Sequence, residues 1–294
     1  MKDYAIISDS TCDLTDDLAR EWNVEIQPMI FRIKNKEYRN YLDERELPLK
    51  NFYNMMKEGE VATTAQVNVI DAINFFRPFL EQGKDILCIA FSSGLSGSVN
   101  SIRLAKSTLE EDFPERKIMI VDSLCASAGE GLLVNRAVLN RKNNLSVEDN
   151  AKDLETFKFR IKHWFTVDDI DTLRRGGRLS NSKALVAKVL NIKPVLNVDN
   201  EGHLQAVYKK VGRKVALRTL VECALKGYAT DDNYITLISH ADAYEDALFV
   251  KGLLEKVYQE NNIKSEIYIS SIGPVIGAHA GPGTIALFTV GDKR

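Results

Sequence analysis

The chain reads as an α/β protein: a doubly wound parallel sheet on its N-terminal side, followed by a second α/β domain. Three observations predict this. Short, nearly continuous apolar runs alternate with helical patterns over the first two thirds, as expected of strands buried on both faces of a parallel sheet. Beyond Arg160 the pattern changes to strands joined by polar turns. The 294 residues, 45% hydrophobic and 27% charged, suffice for two cores sharing a cleft.

The elements follow in order. Residues 4–7 form a strand and residues 14–22 a helix, in which Thr15 caps and Asp16 and Asp17 suit the positive end of the first turn. Residues 86–91 are a buried-type strand, leading through a Ser/Gly loop into a helix over 99–109. A strand over 117–121 and a helix around 131–139 come next. The polar, turn-rich stretch 140–153 contains Ser146, which with Glu148 and Asp149 opens a further helix. The domain boundary is placed just after it, giving domains of residues 1–158 and 159–294. In the second, strands over 162–166, 193–198 and 204–210 include a hairpin signal at Asn200, Glu201 and Gly202. Helices over 215–228 and 247–258 carry apolar stripes, and strands over 234–239, 266–270 and 285–290 complete the layer.

Lys plus Arg is 39 and Asp plus Glu is 41, so the net charge is 39 − 41 = −2, which disfavours bulk attraction to nucleic acid and a DNA-binding reading. No apolar run approaches the roughly 20 residues of a membrane helix, and Met1 leads straight into a strand rather than a signal peptide, so a cytoplasmic protein is expected. Cys12, Cys88, Cys125 and Cys223 are far apart, and His163, His203 and His240 lack metal-ligand spacing; buried free thiols and no metal are expected.

Three hydroxyl-rich loops follow strands of the first sheet: Ser8 to Thr11, Ser92 to Ser98, and Asp122 with Ser123. In an open parallel sheet such loops line the ligand crevice. The glycines of Ser92-Ser93-Gly94-Leu95-Ser96-Gly97-Ser98 let the backbone bend around a ligand while the next helix offers free N–H groups, an anion-binding arrangement. Capping of that helix by Ser96 or Ser98 fits the same residues. Thr63 and Thr64 read either as a helix cap or as ligand contacts. The turn Leu173-Arg174-Arg175-Gly176-Gly177-Arg178-Leu179-Ser180 either aims a guanidinium at an anion or displays solvated arginines, and Arg213 carries the same two readings. The run from Ser270 to Thr284, rich in glycine and proline, suggests an ordered loop wrapped around something, with His279 its only titratable side chain. No nucleophile elbow, Walker loop or complete dinucleotide fingerprint is present.

Taken in this order, these residues make the sequence resemble the DegV-like proteins, the fatty-acid-binding FakB subunits of bacterial fatty acid kinase. The carriers are Asp9-Ser10-Thr11-Cys12-Asp13-Leu14, Ser92 to Gly97, Asp122-Ser123, Gly176-Gly177-Arg178-Leu179-Ser180, and Ile272 to Gly277 with His279, Gly281, Pro282 and Gly283. The resemblance spans essentially the whole chain and implies a two-domain DegV-like fold with a long-chain fatty acid between the domains, the second forming the acyl pocket. It implies that Thr64, Ser92, Ser93, Arg178 and His279 surround the carboxylate, with Arg213 as an outer contact. Thr64-Ala65-Gln66-Val67 departs from the family's Thr-Ser-Gln-Pro, and Gly212-Arg213 from its more basic Arg-Thr-Arg. The implied protein is a non-enzymatic carrier with no cofactor beyond its lipid. Its implied partners are an ATP-binding kinase subunit that makes acyl phosphate for phospholipid synthesis and, transiently, a membrane surface or acyltransferase, with no nucleic acid. A serine hydrolase using Ser93 as nucleophile and His279 as base is the competing reading.

Overall fold

The computed structural model describes residues 4–179, 191–229 and 234–294; Ser180, one of the motif residues above, lies outside them. The strands and helices in chain order are β1 (Tyr4–Asp9), α1 (Asp16–Glu21), β2 (Val24–Gln27), β3 (Met29–Ile33), β4 (Lys36–Asn40), α2 (Leu49–Lys57), β5 (Thr63–Thr64), α3 (Val69–Glu81), β6 (Asp85–Ala90), α4 (Ser98–Asp112), β7 (Ile118–Asp122), α5 (Ala128–Lys142) and α6 (Val147–Phe157). They continue with β8 (Ile161–Thr166), α7 (Ile170–Arg175), β9 (Ile192–Val198), β10 (Leu204–Val211), α8 (Arg213–Leu225), β11 (Thr236–His240), α9 (Tyr244–Glu260), β12 (Ile267–Ser271), α10 (Pro274–Ala280) and β13 (Ile285–Val290).

The first sheet has the order β2-β1-β6-β7, with every pair parallel. β1 and β6 are buried along their whole length, as their continuous apolar runs require. The second sheet has the order β10-β9-β8-β13-β11-β12 and is antiparallel except for β11 with β12. The change of sheet falls between α6 and β8. Caps form where the sequence places them: Thr15 accepts from the Leu18 N–H, and Ser146 from the Asp149 N–H.

Two features depart from the sequence reading. Residues 29–64 build a third, small sheet, β4-β3-β5, in which Thr63 and Thr64 pair with Arg32 and Phe31. The threonines are therefore strand residues, and the cap of α3 is Asn68, whose side chain accepts from the Asp71 N–H. Within the glycine-rich C-terminal run, residues 274–280 form α10 instead of a loop. Pro274 stands at its first position, where a missing N–H costs nothing, and Gly281 follows its end with φ 81°.

Among the described residues the apolar side chains form three cores. One face of the second sheet packs on α8 and α9. On one side of the first sheet, α2, α3, α4 and the small sheet share a core with Val275 and Ala278 of α10. On the other side lies a core continuous with the second sheet, holding Ile6, Leu133, Phe165 and Phe288 together. Its centre is α5, which packs against β1 and β6 of one sheet and β8, β11 and β13 of the other.

Helix and strand approach closely there, since a Cβ on Gly129 of α5 would collide with Nε2 of His163 on β8. Alanine ordinarily favours a helix over glycine by up to about 1 kcal/mol, but overpacking a dense core costs about 1 to 3 kcal/mol. Gly129→Ala is thus expected to lower unfolding free energy by about 1 to 2 kcal/mol in a denaturant titration. In a His163→Ala background the same change is expected to be neutral or stabilising.

Candidate functional site

Between the two large sheets lies a cavity of about 280 Å³. Its floor is the inner face of the second sheet, where period-two alternation turns His163, Phe165, Ala286 and Phe288 to one side. Leu173, Val275 and Ile276 form one wall, and Phe91, Leu95 and Ala126 another. The lining is mainly hydrocarbon.

Polar groups gather at one place. Thr64 on β5 and His279 in the last turn of α10 join through Oγ1 and Nε2 at 2.9 Å, although 215 residues separate them. Gly176 packs on the other ring nitrogen so closely that a Cβ there would strike His279 Nδ1. Two residues on, Arg178 donates through Nε to the Leu95 carbonyl at 3.2 Å and through Nη1 to the Gly176 carbonyl at 2.6 Å, linking the loop after α7 to the loop after β6. Ser96 and Gln66 complete this lining. Arg178 and Gln66 are exposed and Thr64, Ser96 and His279 half-buried, so the polar end is the mouth. Burial and the nearby Arg178 guanidinium push His279 down to about 4, so its ring is neutral at physiological pH.

The other expected residues lie elsewhere. Ser92 is fully buried; its hydroxyl donates to the Gly202 carbonyl at 3.0 Å and accepts from the Gly94 N–H at 3.2 Å. Ser93 is exposed, with its N–H on Asp122 Oδ1 at 3.1 Å, and neither serine lines the cavity. Ser96 takes that place. Its hydroxyl also accepts from the Ser98 N–H at 3.2 Å, but the N-cap position of α4 is Gly97, so neither Ser96 nor Ser98 is its side-chain cap. Arg213 pairs with Asp246 at 2.8 Å and donates to the Gly283 carbonyl at 2.5 Å, which makes it a brace of the loop after α10 and not part of the lining. Ser93 sits outside the cavity while His279 bonds Thr64, so the geometry gives a Ser93–His279 hydrolase no support.

The DegV family model, described as an uncharacterised protein family, matches residues 3–292. The chain belongs to the DegV family. A DegV domain-containing protein of Clostridium perfringens is 37% identical over 100% of this chain and 99% of its own length. Among solved structures, a fatty-acid-binding DegV family protein from Thermus thermophilus is 26% identical with a TM-score of 0.86, over 99% of this chain and 100% of its own. DegV from Bacillus subtilis, a fatty acid binding protein, is 28% identical with a TM-score of 0.82 over the same shares. The two-part α/β architecture is therefore that of the family.

The family motif Asp9 to Leu14 lies outside the cavity lining. The loop after β1 does not reach the lining; Asp9, at the end of β1, and Asp13 of the loop are buried with Glu130 of α5. The Thr11 hydroxyl touches Asp9 Oδ1 and, at 3.0 Å, Glu130 Oε2. Burial raises Asp9, raises Glu130 well above its ordinary value and pushes Asp13 up to about 8. All four cysteines are buried free thiols. Among the described residues no group of three His, Cys, Asp or Glu is placed to hold a metal, and no helix is long and apolar enough to cross a membrane.

A pH dependence follows. A carboxyl whose folded pKa is raised binds more protons folded than unfolded, so stability falls as pH rises toward that pKa. His279 and His163, lowered by burial, act in the opposite sense, but only below about 6.5. Between pH 6.5 and 8 the carboxyls act alone. Unfolding free energy is expected to fall there by on the order of 1 kcal/mol per pH unit for each proton involved, and Asp13→Asn to flatten the slope. Denaturant titrations across that range check both.

Proposed function

We propose that this protein is a carrier that binds a long-chain fatty acid, its acyl chain in the cavity and its carboxylate at the Thr64–Ser96–His279–Arg178 mouth. The observation that carries the reading is a cavity lined mainly by hydrocarbon, with Thr64, Ser96, Arg178 and His279 gathered at its exposed end. The fatty-acid-binding relatives from Thermus thermophilus and Bacillus subtilis support it. Burying roughly 15 methylenes at about 0.8 kcal/mol each supplies on the order of 12 kcal/mol before ordering costs, so the chain provides affinity and the mouth provides orientation.

The mouth suits a carboxylate for a specific reason. A neutral His279 that donates from Nε2 to Thr64 Oγ1 turns the threonine proton outward, toward an acceptor. Ser96 supplies a second hydroxyl, and Arg178 adds a cation reachable from solvent. A half-exposed carboxylate is open to attack chemistry by a second protein. In this reading a separate ATP-binding kinase subunit, in the cytoplasm, brings the nucleotide; a carboxylate oxygen attacks the γ-phosphorus, ADP leaves, and the acyl phosphate enters phospholipid synthesis.

Protein purified from a bacterial host is expected to release a fatty acid in denaturing mass spectrometry, and a protein that is empty and refuses added fatty acid would overturn the reading. Thr64→Val is expected to weaken fatty acid binding about fivefold, the scale of one lost hydrogen bond, while Ser93→Ala stays within about twofold. With a bacterial fatty acid kinase ATP-binding subunit, ATP and hydroxylamine, acyl hydroxamate is expected only when both proteins are present.

A further inference from the structure

α10 carries His279 yet owns no side-chain cap: its N-cap residue is Gly273, which has no side chain to offer. The cap arrives from the other end of the chain. Asp13 Oδ1 accepts the Gly273 N–H at 2.8 Å, across 260 residues, and its Oδ2 meets the Ser127 hydroxyl at 2.5 Å, which in turn meets Ser239 Oγ at 2.9 Å. One side chain, 2% exposed, thereby ties the loop after β1 to the start of α5, the end of β11 and the start of α10. Asp13 itself takes φ 47°, a left-handed conformation unfavourable for a residue with a Cβ, which the surrounding contacts hold in place. Ser127 likewise has φ 54° and ψ −146°, and it lines the cavity. A second buried anchor acts beside it, since the Tyr53 hydroxyl donates to the Ile272 carbonyl at 2.7 Å.

Resting on the fatty-acid reading above, we propose that Asp13 is a positioning residue for the carboxylate mouth: by capping α10 from the first sheet, it sets where His279 meets Thr64, without touching the lipid. A helix of seven residues pivots readily once one end is released, and its last turn is where His279 stands. Loss of the cap therefore degrades recognition of the acid group and leaves the hydrocarbon floor on β8 and β13 as it is. Asparagine retains an acceptor oxygen for the Gly273 N–H and resembles a protonated aspartate in shape, so it serves as the conservative replacement.

The experiment measures binding of a fatty acid and of its methyl ester, of equal chain length, to wild type, Asp13→Ala, Asp13→Asn and Tyr53→Phe. In wild type the acid is expected to bind more tightly than the ester. In Asp13→Ala its affinity is expected to fall about tenfold, toward that of the ester, while ester binding stays within about twofold. Asp13→Asn is expected to restore discrimination, and Tyr53→Phe to lose part of it. Without ligand, the His279 ring, followed by NMR, is expected to titrate nearer its ordinary value in Asp13→Ala than the value of about 4 set by its buried wild-type position. Equal losses for acid and ester, or full discrimination in Asp13→Ala, would overturn the positioning role. Should Asp13→Ala not fold, unaltered discrimination in Tyr53→Phe together with lost discrimination in Asp13→Asn would overturn it. A wild-type protein that binds neither lipid overturns the fatty-acid reading itself.

Discussion

The short helix α10 must be held at both ends by groups it does not contain, and much of the site's geometry depends on that. Seven residues cannot sustain a helix in water, and a buried helix end cannot leave its backbone groups unpaired. Asp13 and Tyr53 secure the N-terminal end. At the other end the Thr284 hydroxyl reaches the Ala280 and Gly281 carbonyls, and Arg213 holds the Gly283 carbonyl. The helix is thereby fixed between the core of the first sheet and the cavity, with Val275 packed in one and His279 at the mouth of the other.

Anchoring a helix with buried acids carries a cost that the fold meets with protons instead of cations. Asp9, Asp13 and Glu130 find hydroxyls and backbone N–H groups around them, and charging all three in so dry a place would be expensive. Burial raises all three carboxyls toward their protonated forms, and the hydroxyls and N–H groups around them make a directional hydrogen-bonded network. Because Glu130 rides on α5, between the two sheets, the same network joins the halves of the molecule through their common helix.

The cavity separates affinity from orientation in space. Phe165, Phe288, Val275 and Ile276 present no donor that would fix a chain's position, whereas Thr64, Ser96, Arg178 and His279, from four separate segments, supply donors at the mouth. Arg178 contributes twice, since its contacts to the Leu95 and Gly176 carbonyls close the two loops over the site while its exposed face remains available to an anion.

Regular elements with strong local signatures were legible from residue order alone. Apolar runs announced β1, β6, β7 and β13, capping residues announced α1 and α6, and a turn triplet announced the β9–β10 hairpin, because strand period and cap chemistry are local properties. The family motif likewise marked Thr64, Arg178 and His279, which the fold gathers at one mouth. Three-dimensional packing decided the rest. Which of Ser92, Ser93 and Ser96 faces the cavity depends on how one loop bends against Gly202 and Asp122. The strand character of Thr63 and Thr64 exists only through pairing with β3, and the helix at 274–280 is capped by a residue 260 positions away. Local preference follows from each residue and its neighbours, whereas side-chain direction and long-range hydrogen bonding are set only once distant segments have closed on one another.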